Sequence, residues 1–169
     1  MYEGILVVVD AGPSSPHAVA EGVALARIHG AEVVFCSVLQ HVVEPVLDMP
    51  MAGTLSAVEF EIAARQDADR LLAAAEAVAR QAGVPCRRVV GAGADDAECI
   101  CEAARKSGCQ VIVVGSAGRN AVVRLLGGSV IPRLITRSVI PVLIVREPTA
   151  TDRPPASPAE PAAAWRPIR

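Results

Sequence analysis

What constrains this chain most is a rhythm: short, β-branched aliphatic runs recur along it, each parted from the next by a stretch with helical periodicity. The runs are ILVVV within Gly4–Asp10, EVVFCSVL from Glu32 to Leu39, Cys86 to Gly91, QVIVVG from Gln110 to Gly115, and PVLIVR from Pro141 to Arg146. Runs this short that stay apolar at successive positions suit strands buried on both faces. A strand that returns through a helix to a parallel neighbour does so by a right-handed crossover, which lays helices on both faces of one sheet. The rhythm therefore predicts an α/β domain of three layers around a five-stranded parallel sheet. An order of 3-2-1-4-5 sets the first and fourth strands side by side, where the winding reverses.

The stretches between the runs carry helix punctuation. After Ala11–Pro13, Ser14 or Ser15 is placed to cap a helix with Pro16 in its first turn; Val19, Val23 and Ala26 form its inner stripe and Gly30 stops it. From Ala57 to Ala82 the positions Val58, Ile62, Leu71, Leu72, Ala75, Val78 and Ala79 keep a helical period, ended by Gly83-Val84-Pro85. Asp95 and Asp96 lead into a third helix that Gly108 closes, and a short fourth runs from Ser129 to near Arg137. Gln40–Ser56, with Pro45, Pro50 and Gly53, is longer than most connections and reads as a mobile flap. From Glu147 onward the chain holds six of its thirteen prolines, so the domain is expected to span 1–146 and an extended tail 147–169.

Composition excludes several functions. A formal net charge of −2 without a block of one sign, and 2% aromatic residues, lack the footprint of a nucleic-acid binder. No apolar run approaches the ~18 residues that cross a bilayer. The opening MYEGILVVVD has no basic region or cleavage site of a leader, and the five cysteines lie in apolar segments as reduced thiols would. These features predict a soluble cytoplasmic protein without membrane or nucleic-acid partners. Cys99 and Cys101, two apart on a helix, point to different faces, which argues against a metal site. Lys106 is the only lysine and sits outside any Gly-Lys-Ser/Thr string, so a Walker loop is excluded. No G-x-G-x-x-G follows a strand either.

Chemistry is then expected beyond the carboxyl ends of the first and fourth strands, at Asp10 and Gly115. Gly115-Ser116-Ala117-Gly118 is followed by nine residues and then Gly128-Ser129. Glycines let the backbone approach an anion and aim N–H groups at it, and the helix that starts at Ser129 adds partial positive charge. The Ser129 hydroxyl and the Arg119 cation are further phosphate contacts.

Gly115, Gly118 and Gly128-Ser129 match the G-x2-G-x9-G-(S/T) pattern of ATP-binding universal stress proteins, a family that the chain resembles from Met1 to Arg146. The strand ending in Asp10, the stretch GADDAECICEAARKSGCQVIVVGS and the closing Pro-Val-Leu-Ile-Val-Arg are similar as well. The resemblance implies a Rossmann-like fold of the adenine nucleotide alpha hydrolase type that takes ATP, alone or with Mg²⁺. It puts Asp10 at the adenine, Val8, Val9 and Val38 around the base, and Gly115, Ser116, Gly118 and Arg119 at ribose and phosphates. Gly128, Ser129, Val130 and Ile131 would face the phosphates. Asp10-Ala-Gly-Pro and Ile131 depart from the usual pattern, which has a small residue and then Ser after the acid and a hydroxyl residue at the later position. A homodimer through the last strand is also implied. Neither a catalytic residue nor a metal ligand is identifiable, so the leading expectation is a nucleotide-responsive stress protein with little or no catalysis. A slow ATPase or phosphotransferase with Asp10 or Asp95 at Mg²⁺, and a nucleotide-free interaction module, are the alternatives.

Overall fold

The computed structural model describes residues 1–40, 57–116 and 130–146; residues 41–56 of the expected flap, the loop from 117 to 129 and the tail from 147 lie outside the described residues. Gly4–Val8 (β1) is buried at every position, as an unbroken aliphatic run without a polar face requires. It stands at the centre of a five-stranded sheet of order β3-β2-β1-β4-β5, in which β2 is Glu32–Gln40, β3 Cys86–Gly93, β4 Val111–Ser116 and β5 Val142–Arg146. All four neighbouring pairs are parallel. The architecture inferred from the rhythm and the expected order 3-2-1-4-5 are the ones observed.

Among the described residues, four helices cover the sheet: α1 (Ser15–His29), α2 (Ala57–Gln81), α3 (Asp96–Lys106) and α4 (Val130–Arg137). Because successive strand residues point to opposite faces, the strands serve two cores. Ile5, Val7, Val9, Val33, Phe35, Val111 and Val113 pack with Val19, Val23 and Ala26 of α1 and Leu72, Ala75 and Ala79 of α2. Leu6, Val8, Val34, Cys36, Ile112 and Val114 pack with Ala97, Ile100 and Ala104 of α3 and Leu134 of α4. Among the described residues no helix is long and apolar enough to cross a membrane.

Local details differ from the sequence reading in three places. β1 stops at Val8, because Asp10 leaves the ladder: its N–H donates to Ser15 Oγ at 3.0 Å and its Oδ1 accepts from the Gly12 N–H at 2.7 Å. The Val9 N–H still reaches the Cys36 carbonyl at 2.8 Å. The serine cap expected on α1 does not form; Ser14 occupies the N-cap position without a side-chain cap bond, and the Ser15 hydroxyl serves the Asp10 turn. β3 runs on to Gly93, opposite Gln40, two residues beyond the expected end at Gly91. At the other end of α1, Gly30 takes φ 67°, a left-handed conformation that glycine adopts without the steric cost of a Cβ.

Candidate functional site

A wholly parallel sheet gathers all its strand carboxyl ends on one edge, and α1, α3 and α4 start there. Their amino ends bring unsatisfied N–H groups and partial positive charge to that edge.

The sequence-predicted residues divide between the two faces. Val8, 7% exposed at the end of β1, belongs to the α3/α4-side core, and Val38 of β2 and Val130 and Ile131 of the first turn of α4 pack against the same cluster. All four thus serve the same apolar cluster on that face. Val9 belongs to the opposite core, so the structure does not bring it together with Val8 and Val38. With Asp10, Gly12 and Ser15 it lines a cavity of about 260 Å³ whose far wall is Leu71, Ala75 and Val78 of α2. A larger groove of about 630 Å³ runs between α1 and α2 away from this edge; Arg27 is its only charged lining residue, so it offers little that would fix a polar ligand.

Gly115 and Ser116 close β4, opposite Val145 and Arg146 of β5. A Cβ on Gly115 would stand 2.8 Å from both the carbonyl oxygen and the hydroxyl of Ser14. The missing side chain therefore lets the start of α1 seat against the end of β4, a packing role that the sequence did not reveal. Gly91 is comparable on the other face, where its Cβ would meet Cys99 Cβ at 3.3 Å and Val38 Cγ2 at 3.5 Å. The backbone of β3 thus forms the floor beneath Val38. Gly118, Arg119, Gly128 and Ser129 lie outside the described residues.

Asp95 is the most heavily engaged carboxylate of the edge. It caps α3, accepting from the N–H groups of Ala97 at 3.0 Å and Glu98 at 3.4 Å. Two guanidinium groups of α4 also reach it: Arg133 Nη1 donates to Oδ1 at 3.3 Å and Arg137 Nη1 donates to Oδ2. Burial pushes this carboxyl up, but the Glu98 and Ala97 N–H groups and Arg137 together outweigh that and hold it below its usual range. The sequence reading found the acid at the helix start and missed both arginines, whose one signal was their spacing on the face of a short helix.

All five cysteines are free thiols. Burial, with Cys99 and Cys109 nearby, pushes the Cys36 thiol up to about 12, and burial raises Cys109 to about 11. Such thiols stay protonated and pack as small hydrophobes. Among the described residues no three His, Cys, Asp or Glu side chains are grouped to hold a metal ion.

The chain is similar to solved structures whose folds superpose over most of its length. A protein from the universal stress protein family of Burkholderia pseudomallei is 27% identical, at a TM-score of 0.69 over 85% of this chain and 96% of that one. A universal stress protein family protein from Arabidopsis thaliana, solved with AMP bound, gives 0.60 at 18% identity over 90% of this chain and 95% of that one. The universal stress protein from Archaeoglobus fulgidus in complex with dAMP gives 0.59 at 18% identity, over 85% and 98%. No curated protein sequence matches the chain. Its residues 1–146 match the profile described as the Universal stress protein family, and with the order of the sheet and the folds it shares, the chain belongs to the universal stress protein family.

Proposed function

We propose that this chain binds an adenine nucleotide, ATP in particular, at the carboxyl edge of its sheet, and that occupancy shifts a conformation or an interface with little or no turnover. The observation that carries this reading is that Val8, Val38, Val130 and Ile131 all serve one apolar cluster on the side of the sheet where β1 ends at Val8, just before Asp10, and β4 ends at Gly115–Ser116. Apolar side chains suit the faces of a base, and the amino end of α4 suits phosphates. The relatives solved with AMP and with dAMP favour an adenine-bearing ligand. Asp10 would meet the adenine beside Val9, and Gly115, Ser116, Gly118, Arg119, Gly128 and Ser129 the ribose and phosphates. Asp95, held by two N–H groups and two guanidinium groups, is poorly suited to hold Mg²⁺. An accompanying Mg²⁺ would ride on the phosphates.

We assign the nucleotide domain to residues 1–146 and treat 147–169 as a tail. Free thiols at every cysteine suit the reducing cytoplasm. β5 lies at the edge of the sheet with Leu143 41% and Ile144 38% exposed, and an apolar edge strand invites pairing with a second copy. Leu143→Arg is expected to turn a dimer into a monomer in sedimentation equilibrium.

Native mass spectrometry of the full chain tests the main reading. ATP or another adenine nucleotide should travel with the purified protein, and ADP accumulating from added ATP would speak for turnover instead. Calorimetry should show ATP affinity lost in folded Gly118→Val or Ser129→Val. Unchanged affinity in both would remove the loop from the site, and no ATP binding at about 1 mM would remove the function.

A further inference from the structure

Resting on that nucleotide reading, we propose that Asp95 is a positioning residue for the bound nucleotide: by clamping Arg133 and Arg137 it sets the orientation in which α4 presents its amino end to the phosphates.

The need for such a clamp follows from how little else holds α4. It is a helix of eight residues in which Leu134 alone is buried, and it packs principally against α3. A helix that short does not persist without tertiary contacts. Val130 and Ile131 touch the core at its first turn, and Leu134 anchors its middle. One fully buried side chain and two partly buried ones hold only the apolar side of the helix, which leaves room for a polar contact to set the aim of its N–H groups.

Asp95 supplies the second fixed point. Its carboxylate is held rigidly at the start of α3 by the N–H groups of Ala97 and Glu98. Each oxygen then takes one guanidinium, Oδ1 from Arg133 and Oδ2 from Arg137. Arg133 and Arg137 are one helical turn apart, so two contacts on one carboxylate define the rotation of α4 and not only its distance. The carboxylate also occupies two cations of α4, one in its middle and one in its last turn, that would otherwise be open.

Two alternatives predict different outcomes. If the arginines contact phosphate directly, releasing them from Asp95 strengthens ATP binding. If Asp95 merely stabilises the fold, its loss weakens adenosine and ATP alike. Asp95→Asn separates these, because asparagine is as good an N-cap and still accepts from Ala97 and Glu98, while the charge that grips the arginines is gone.

Calorimetry on the full chain with ATP and with adenosine is the experiment. In Asp95→Asn, ATP affinity should fall about tenfold, with adenosine affinity held within about twofold, as expected when the charge-assisted hold on both arginines is lost. Arg137→Gln should act in the same direction, and the double variant should lose no more than the larger single loss. Equal loss of both ligands, a gain in ATP affinity, or no change would each overturn the assignment. Failure of the wild-type chain to bind either ligand would bring down the nucleotide reading itself, an outcome distinct from intact wild-type binding that ignores Asp95.

Discussion

The two faces of the sheet are fastened by different means. On the α1/α2 face, a Cβ at Gly22 would stand 2.3 Å from Val7 Cγ2 and one at Gly115 2.8 Å from Ser14 O. The backbone of α1 lies there on the stiff, branched Val7 side chain, and the residue before α1 lies on the end of β4. On the α3/α4 face, a Cβ at Gly93 would meet only Cys99 Sγ, at 2.6 Å, and α4 is tied through the side chains of Arg133 and Arg137. Close backbone contacts have no torsion to turn and so no slack, whereas a thiol or a guanidinium can swing aside. A response to nucleotide would therefore be carried on the α3/α4 face, with the α1/α2 face as the frame.

Gly115→Ala is the strongest way to break that contrast. Its new methyl meets backbone atoms of Ser14, so the end of β4 and the start of α1 must separate, at a cost of about 2–3 kcal/mol in urea unfolding. Gly93→Ala should cost less than about 1 kcal/mol, since Cys99 can rotate away. Equal losses would show that the faces do not differ.

Gly22→Ala sharpens the same point from inside a helix. Alanine is the better helix former by about 1 kcal/mol, so propensity alone predicts a gain. The clash with fully buried Val7 predicts a net loss of about 1–2 kcal/mol instead. In a Val7→Ala background the same substitution should cost less or turn favourable, a coupling that a double-mutant cycle reads directly.

This division explains what could be read from the sequence. Strands and helix positions follow from local period and β-branching, the sheet order came with the resemblance, and ILVVV states its double burial outright. Asp95 was legible as a cap because capping is a local bond. The serine signal before α1 marked the right place but the wrong bond, since Ser14 is pressed against Gly115, a residue 101 positions away. Arg133 and Arg137 find Asp95 across separations of 38 and 42 residues, which no local pattern records. Gly115, expected at the ligand, also packs against Ser14, a contact that no local pattern records. For the described part of the candidate site, the residue types were legible, and the side of the sheet that each one serves was not.

Alkaline titration tests the α3/α4 core next. The Cys36 thiol is raised from 9.0 to about 12 and Cys109 from 9.0 to about 11, both by burial first. The unfolded chain ionises these thiols before the folded one does. Their contribution is therefore complete below pH 9.0 and is lost as pH rises through 9.0 towards 11 and 12. Near pH ~9.5 the loss should be of order 1 kcal/mol in urea unfolding. In Cys36→Ala/Cys109→Ala the alkaline slope should flatten, although the variant is less stable at neutral pH. An unchanged slope would mean that other groups carry it.

Acid titration should move global stability least and α4 most. Burial raises the Asp95 carboxyl, yet the N–H groups of Glu98 and Ala97 and the Arg137 guanidinium hold it below its usual 3.8. As pH falls, the unfolded chain takes up this proton first. The clamp's contribution is thus present above the unfolded value and is lost as pH falls through the lower folded value. The arginines are well exposed, and exposed ion pairs add little to overall stability. The readout is accordingly local. In hydrogen exchange below pH 3.8, α4 amides should lose protection while α1 amides, seated through Gly22 on Val7 and beside Ser14 on Gly115, keep theirs. In Asp95→Asn the α4 amides should exchange fast at every pH, with no acid step, because there is no charge left to neutralise. An acid step that survives in the asparagine variant would assign it to another carboxylate and leave the α3/α4 face fastened by its apolar contacts alone.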